Sequence, residues 1–223
     1  MITAEVQEAT AIAQLAATLL LRTTDTKHGR EGADLRRVCG DMQANANKYI
    51  NDNVIGAKLS ACFAQARVTG ATMDEFNRIR EIIVAEVTTS LLATLVKQGC
   101  VNFSLQQMSI VLAGTNFTSR QDVVRVREAI NEAFDQAEEV SADEMALVVY
   151  RALVSLHAAV TFHLYDTARP LPQMLDFQFA ATRPTLIQSY RLYATADRAD
   201  QIRQENKIVH PAFAPRAGRA LSF

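Results

Sequence analysis

The chain has no tryptophan, no proline in its first 169 residues and only three cysteines, none close to another. Cys39, Cys62 and Cys100 form no CxxC pair and are odd in number. That excludes a disulfide framework and points to folding in a reducing compartment. The eight glycines are dispersed, and neither GxGxxG nor GxxxxGK[ST] occurs, so no glycine-rich loop cradles a phosphate. GxSxG and HExxH are absent as well, which removes the common serine-elbow and zinc-hydrolase patterns. Aromatic residues make up 7% and never interleave with a basic run, so no stacking platform for single-stranded nucleic acid is visible. The formal net charge of −1 gives no global attraction to phosphate or to an anionic membrane.

What is present suits a globular protein. Hydrophobic residues make up 49% and charged residues 21%, which excludes a disordered chain. Two hundred and twenty-three residues are enough for one large domain or two small ones with a sizeable core. The first apolar stretch, Ala9 to Leu21, follows Glu5 and Glu8 without a preceding Lys or Arg, the wrong flank for a signal peptide. The charge-free run from Gln98 to Ser119 is long enough to span a bilayer, but it carries Gln98, Asn102, Gln106, Gln107 and Asn116, amides that are costly in lipid. The expectation is a soluble chain with no membrane partner.

Proline-free, alanine-rich sequence permits helices throughout, since an internal proline costs about 3 kcal/mol. The pattern predicts helices over about 3–22, 33–52, 54–69, 72–98, 104–113, 119–139 and 141–168. Thr72 with Glu75, Ser104 with Gln107 and Ser141 with Glu144 read as capping boxes, and Gly70, Gly99 and Gly114 as helix ends. Val123, Val126, Ile130, Ala133, Phe134 and Ala137 form one apolar stripe, with Asp135 and Glu138 facing away. Met145, Val148, Val149, Leu153, Leu156, Val160 and Leu164 form another. Both are expected as core.

All five prolines (Pro170, Pro172, Pro184, Pro211, Pro215) lie in the last quarter, where the pattern changes. Leu175, Phe177 and Phe179 alternate with Asp176 and Gln178, the period of a half-buried strand. A short helix from Pro184 to Ala194, capped by Thr182 or Arg183, precedes a second from about Arg198 to Glu205 capped by Asp197. The tail closes on a strand at Arg219 to Phe223. The expected fold is therefore mainly α: a helical body over 1–169, then a small α+β module over 170–223 of order strand–helix–helix–strand. Residues 183–223 carry seven Lys or Arg against three Asp or Glu, net +4, leaving −5 on residues 1–182.

The chemical inventory is small. His28, His157, His163 and His210 are the only histidines. His157 and His163, six apart on one helix, point in different directions and cannot share a metal. The expectation is no catalytic residue, no metal and no cofactor: not an enzyme.

The informative segment runs Ser189-Tyr-Arg-Leu-Tyr-Ala-Thr-Ala-Asp-Arg-Ala-Asp-Gln-Ile-Arg-Gln-Glu-Asn206, then Lys-Ile-Val-His-Pro-Ala-Phe-Ala-Pro-Arg-Ala-Gly-Arg-Ala-Leu221. It resembles the C-terminal signature of the phage Mu N-type DNA circularization (or circulation) proteins, which belong to the tails of Mu-like contractile phages. The positions that carry the resemblance are Tyr190, Leu192, Tyr193, Arg198, Asp200, Ile202, Asn206, His210, Pro211, Phe213, Pro215, Gly218 and Leu221. Upstream, Val124-Arg125-Val126-Arg127, Phe134-Asp135, Tyr150-Arg151-Ala152-Leu153 and Leu171-Pro172 are similar too. The resemblance covers about residues 119–223, and residues 1–118 share only helical character. Where the family has a glycine after the second tyrosine this chain has Ala194, so the turn between the helices is expected to avoid a left-handed residue there. The family usually carries a further N-terminal domain, which this chain is expected to lack.

The segment is also similar to the LysM-like modules of phage baseplate proteins. Tyr190, Tyr193 and Ile202 are spaced to pack the two helices, Asn206 to end a helix or bond the next loop, and Gly218 to free a turn. The resemblance implies a structural virion protein of the tail or baseplate, assembled in the host cytoplasm. Its partners would be other tail proteins (hub, tube, wedge or tape-measure) and copies of itself in a ring. Two other classes remain. One is DNA binding at genome ends, which the family's name implies and the +4 tail favours. The other is peptidoglycan binding of the cellular LysM type.

Overall fold

The computed structural model describes residues 3–23 and 29–222. His28 and Phe223 lie outside the described residues. The helices are α1 (Ala4–Arg22), α2 (Arg30–Asn51), α3 (Ile55–Val68), α4 (Met73–Ala85), α5 (Leu91–Ala113), α6 (Arg120–Asp143) and α7 (Leu147–Ala168). Then follow β1 (Met174–Gln178), α8 (Thr185–Tyr193), α9 (Ala199–Glu205), a 3-10 turn (Pro211–Phe213) and β2 (Ala217–Leu221). The mainly α class with a small C-terminal strand–helix–helix–strand module is as the sequence predicts. The chain divides into two compact units, one of residues 1–115 with 130–161, the other of 116–129 with 162–223. The second unit contains the expected 170–223 module whole and adds the start of α6 and the end of α7.

In the first unit, α1 lies against α2 and α5, and α3 and α4 pack on α5. Alanine makes the close approach possible: Ala9, Ala13, Ala16 and Ala17 are buried along one side of α1. Phe63, Phe76, Phe134, Leu35, Met42, Leu105 and Met108 fill the space between helices, with Phe63 stacked 6.4 Å from Phe76. Cys39, Cys62 and Cys100 are free and fully buried in this core. Burial pushes the Cys100 thiol up to about 12. The hydrogen bond to Cys62, with burial, raises that of Cys39.

The Thr72–Glu75 capping box is present: the Glu75 amide donates to Thr72 Oγ1 at 3.3 Å and the Thr72 amide to Glu75 Oε2 at 2.6 Å. The other two expected boxes do not form. Ser104 and Ser141 are buried inside α5 and α6, and each hydroxyl donates back to the carbonyl four residues earlier, Cys100 and Ala137. The expected helices over 72–98 and 104–113 are instead α4 and α5, broken at Glu86–Ser90 with Gly99 inside α5. The break is held by a distant residue. The Thr89 and Ser90 amides donate to the Glu8 carboxylate of α1 at 2.6 and 2.9 Å, and Ser90 Oγ accepts from Ala93 at 3.3 Å. Hydrogen bonding by Ser90 and Thr89 holds the Glu8 carboxyl below its ordinary value.

α6 runs past the expected end at 139 and stops where Met145 takes a left-handed backbone, φ 54. Met145 and Val148, expected in the core, are 91% and 83% exposed. Leu153, Val160 and Leu164 of the same stripe are buried. Among the described residues, α7 is long and apolar enough to cross a membrane by length and composition. Its most apolar 18 residues have a mean hydropathy of 1.5, which with its length meets the requirement, and only 17% of that window is buried. The run from Gln98, by contrast, begins within α5, where Cys100, Val101, Ser104, Leu105, Gln107, Met108, Ser109 and Leu112 are buried. Two of its amides are bonded within the protein: Gln107 accepts from Arg67 Nε at 2.9 Å, and Gln98 donates to Glu144.

In the second unit β1 and β2 pair antiparallel, with Met174 opposite Leu221 and Gln178 opposite Ala217. β2 therefore ends at Leu221 rather than starting at Arg219. Leu175 is exposed, while Phe177 packs with Leu192 and Ile208 on a small core of Tyr193, Ile202 and Ala220. α8 starts after Pro184 and α9 after Arg198, neither with a side-chain cap. The Asp197 carboxylate instead accepts from Thr195 Oγ1 at 2.7 Å.

Candidate functional site

The residues that carry the resemblance gather in the second unit, and most of them hold it together. The Asn206 amide bridges α9 and β2: Nδ2 donates to the carbonyls of Ile202 and Arg219 at 2.9 and 2.8 Å, and Oδ1 accepts from the Arg219 amide at 2.7 Å. It thus ends α9, as the sequence suggests, and also acts as a hydrogen-bonded neighbour to the free edge of β2. Gly218 is needed for that contact. A Cβ there would stand 2.5 Å from Asn206 Oδ1 and 2.9 Å from Phe177 Cζ, so its role is close approach inside a strand and not a turn. Tyr193 donates its hydroxyl to the Leu221 carbonyl at 2.6 Å. Arg198 lies 4.7 Å over the Tyr193 ring and donates to the Ser222 carbonyl at 3.4 Å.

Ala194 has φ +58, the left-handed turn that the missing glycine was expected to exclude. Its amide donates to the Tyr190 carbonyl at 2.9 Å, so the helix end imposes the conformation on alanine. Tyr190 is not a packing residue between the helices; it is 65% exposed. His210, Pro211 and Phe213 are exposed as well, with the His210 and Phe213 rings 5.5 Å apart. The motif therefore divides into a structural set (Tyr193, Arg198, Ile202, Asn206, Gly218, Leu221) and a surface set (Tyr190, His210, Pro211, Phe213).

The sequence reading missed Gln121. Its side chain bonds both backbone groups of Met174, donating at 3.2 Å and accepting at 2.7 Å, and so does for β1 what Asn206 does for β2. No sequence signal marks it, because its partner lies 53 residues away.

The first unit holds a polar cluster that the sequence pattern also concealed. His157 Nδ1 lies 2.9 Å from Glu138 Oε1, its Nε2 3.1 Å from Asn131 Oδ1, and its ring stacks on Phe134 at 4.9 Å. Asp135, Glu138 and His157 bring their ligand atoms within 4.8 Å of one another. Spacing along α7 set His157 only against His163; the carboxylates come from α6, and Glu138 turns inward where its stripe position predicts solvent. Such a donor set suits a divalent ion, yet both ring nitrogens already have partners that an ion would have to displace. A cavity of about 390 Å³ in the same unit is lined by Arg80, Lys97, Glu139 and Glu144 among others. Burial lowers the Arg80 guanidinium, whose Nε and Nη1 donate to Asn77 and Gln136, both at 2.9 Å. Cations and carboxylates there offset each other, leaving no net charge to attract an ion.

No protein-family model matches the chain and no curated protein sequence matches it.

Proposed function

We propose that this protein is a structural component of a contractile, Mu-like phage tail or baseplate, acting through protein–protein contacts during tail assembly and without catalysis. The observation that carries the proposal is the outer face of α7. Leu153, Val160 and Leu164 are buried on one side; on the opposite side Val148, Ala152, Ser155, Ala159 and Phe162, spaced alternately four and three residues apart, are exposed. A stripe of small and apolar residues at that spacing on a long helix fits a partner helix. The exposed motif residues Tyr190 and Phe213 supply a second apolar surface, on the module that resembles the tail proteins. Partners are other tail proteins and further copies of the chain, in a ring.

Size-exclusion chromatography with light scattering tests this, with a labelled duplex at low salt in a parallel run. A ring-sized oligomer, or a monomer that assembles only with other tail proteins, is the expected result. A salt-sensitive duplex shift in place of assembly overturns it in favour of DNA binding. Retention on peptidoglycan overturns it in favour of a LysM-type binder.

A further inference from the structure

Within the second unit, three arginines from different elements line one cavity of about 580 Å³: Arg120 at the start of α6, Arg169 after α7, and Arg198 before α9. Pro170, Pro172, Gln173, Gln201 and Ser222 complete most of its wall, and among the described residues no Asp or Glu lines it. Two of the three are fixed from behind. Arg120 Nη2 donates to the Arg169 carbonyl at 3.2 Å, its backbone amide donates to the Pro172 carbonyl at 3.0 Å, and Arg198 is held by Ser222 and the Tyr193 ring. Arg120 Nε is buried and has no hydrogen-bond partner. Asp166 lies 3.9 Å from Arg169 with both side chains exposed, a contact of little strength in water.

We propose that this cavity binds a compact, multiply charged phosphate compound. Three guanidinium groups around one concave space repel each other unless an anion enters. Their planar forks match the oxygens of phosphate in pairs. A single carboxylate, with one charge and two oxygens, would leave most of this set unpaired. A duplex backbone is also a poor fit, since it asks for cations in a row along its path and these converge on one cavity. The proposal is independent of the tail reading: it concerns a small ligand of the second unit, and holds whether or not the chain assembles.

Isothermal titration of the full chain with pyrophosphate at low salt is the test. Saturable binding is expected, weakening as salt rises, reduced at least about fivefold by Arg169→Gln and reduced by Arg120→Lys. Arg169 is exposed at its side chain, so its replacement leaves folding intact. Arg125→Gln is the control: that arginine pairs with Asp122 at 2.7 Å and lines a different cavity, so binding is unchanged. Absence of pyrophosphate binding overturns the proposal, as does equal affinity in Arg169→Gln. A labelled duplex is the second arm; duplex binding without pyrophosphate binding, lost in Arg169→Gln, also overturns it and assigns the arginines to nucleic acid.

Discussion

Gly218 and Asn206 act as one device. The carboxamide that borders β2 occupies the space a side chain at 218 would need, and its three hydrogen bonds leave it no room to retreat. Gly218→Ala is expected to cost roughly 2–3 kcal/mol, the size of an overpacked core substitution, and Asn206→Leu a similar amount through the two unpaired backbone groups of Arg219. Thermal or urea unfolding checks both. Ala194 behaves in the opposite sense. A left-handed alanine costs about 1–2 kcal/mol, partly offset by the stiffer unfolded chain, so Ala194→Gly should stabilise by about 0.5–1 kcal/mol. A melting temperature that falls in Ala194→Gly would contradict the left-handed turn. The sequence marked each of these positions through the resemblance, but misread two roles. Glycine in a strand and glycine in a turn look alike until the partner across the strand is known.

Helices α4 and α5 show what a distant residue does to an element. Propensity alone carries a helix through 86–90, because nothing in Glu-Val-Thr-Thr-Ser forbids one. The Glu8 carboxylate favours the break by accepting the Thr89 and Ser90 amides at the start of α5, where a negative charge also suits the helix dipole. Because the folded Glu8 carboxyl titrates below its ordinary 4.5, its contribution is complete above about that pH and disappears as pH falls through the lower folded value. Glu8→Gln should therefore unfold at lower urea than the native chain at pH 7, and the difference should narrow as pH falls below 4.5. A difference that does not narrow as the pH is lowered would assign the loss to packing instead. The serines make the same point in reverse. Ser104 and Ser141 carry the N-terminal cap signature but sit inside helices, their hydroxyls turned back to the preceding turn.

At the scale of the whole molecule, the apolar surface is distributed unevenly. The first unit buries its cysteines completely, so a thiol reagent should label none of Cys39, Cys62 and Cys100 in the native chain at neutral pH and all three after denaturation. Fast labelling before unfolding would show that this core opens. α7 does the reverse and leaves an apolar stripe outside. Val148→Asp, a change at an exposed position, should leave the melting temperature within a degree or two and lower the mass seen by light scattering. An unchanged mass would remove α7 from the proposed assembly contacts.

What the sequence determined by itself is what depends on neighbours along the chain. Proline-free alanine-rich stretches make the helices, Thr72 with Glu75 starts α4, and the late prolines and the alternation around Phe177 mark a different C-terminal module. These follow from periodicity and local hydrogen bonding, which extend only a few residues. Contacts that join residues far apart were decided only by the tertiary structure. Glu8 sets the break before α5, Gln121 and Asn206 border the two strands, and Glu138 turns inward to His157. Arg120, Arg169 and Arg198 line one cavity although only Arg198 belongs to the basic C-terminal stretch. A hydrogen bond or a cluster of like charges across tens of residues leaves no period in the sequence, because its energy depends on distance in space and not along the chain.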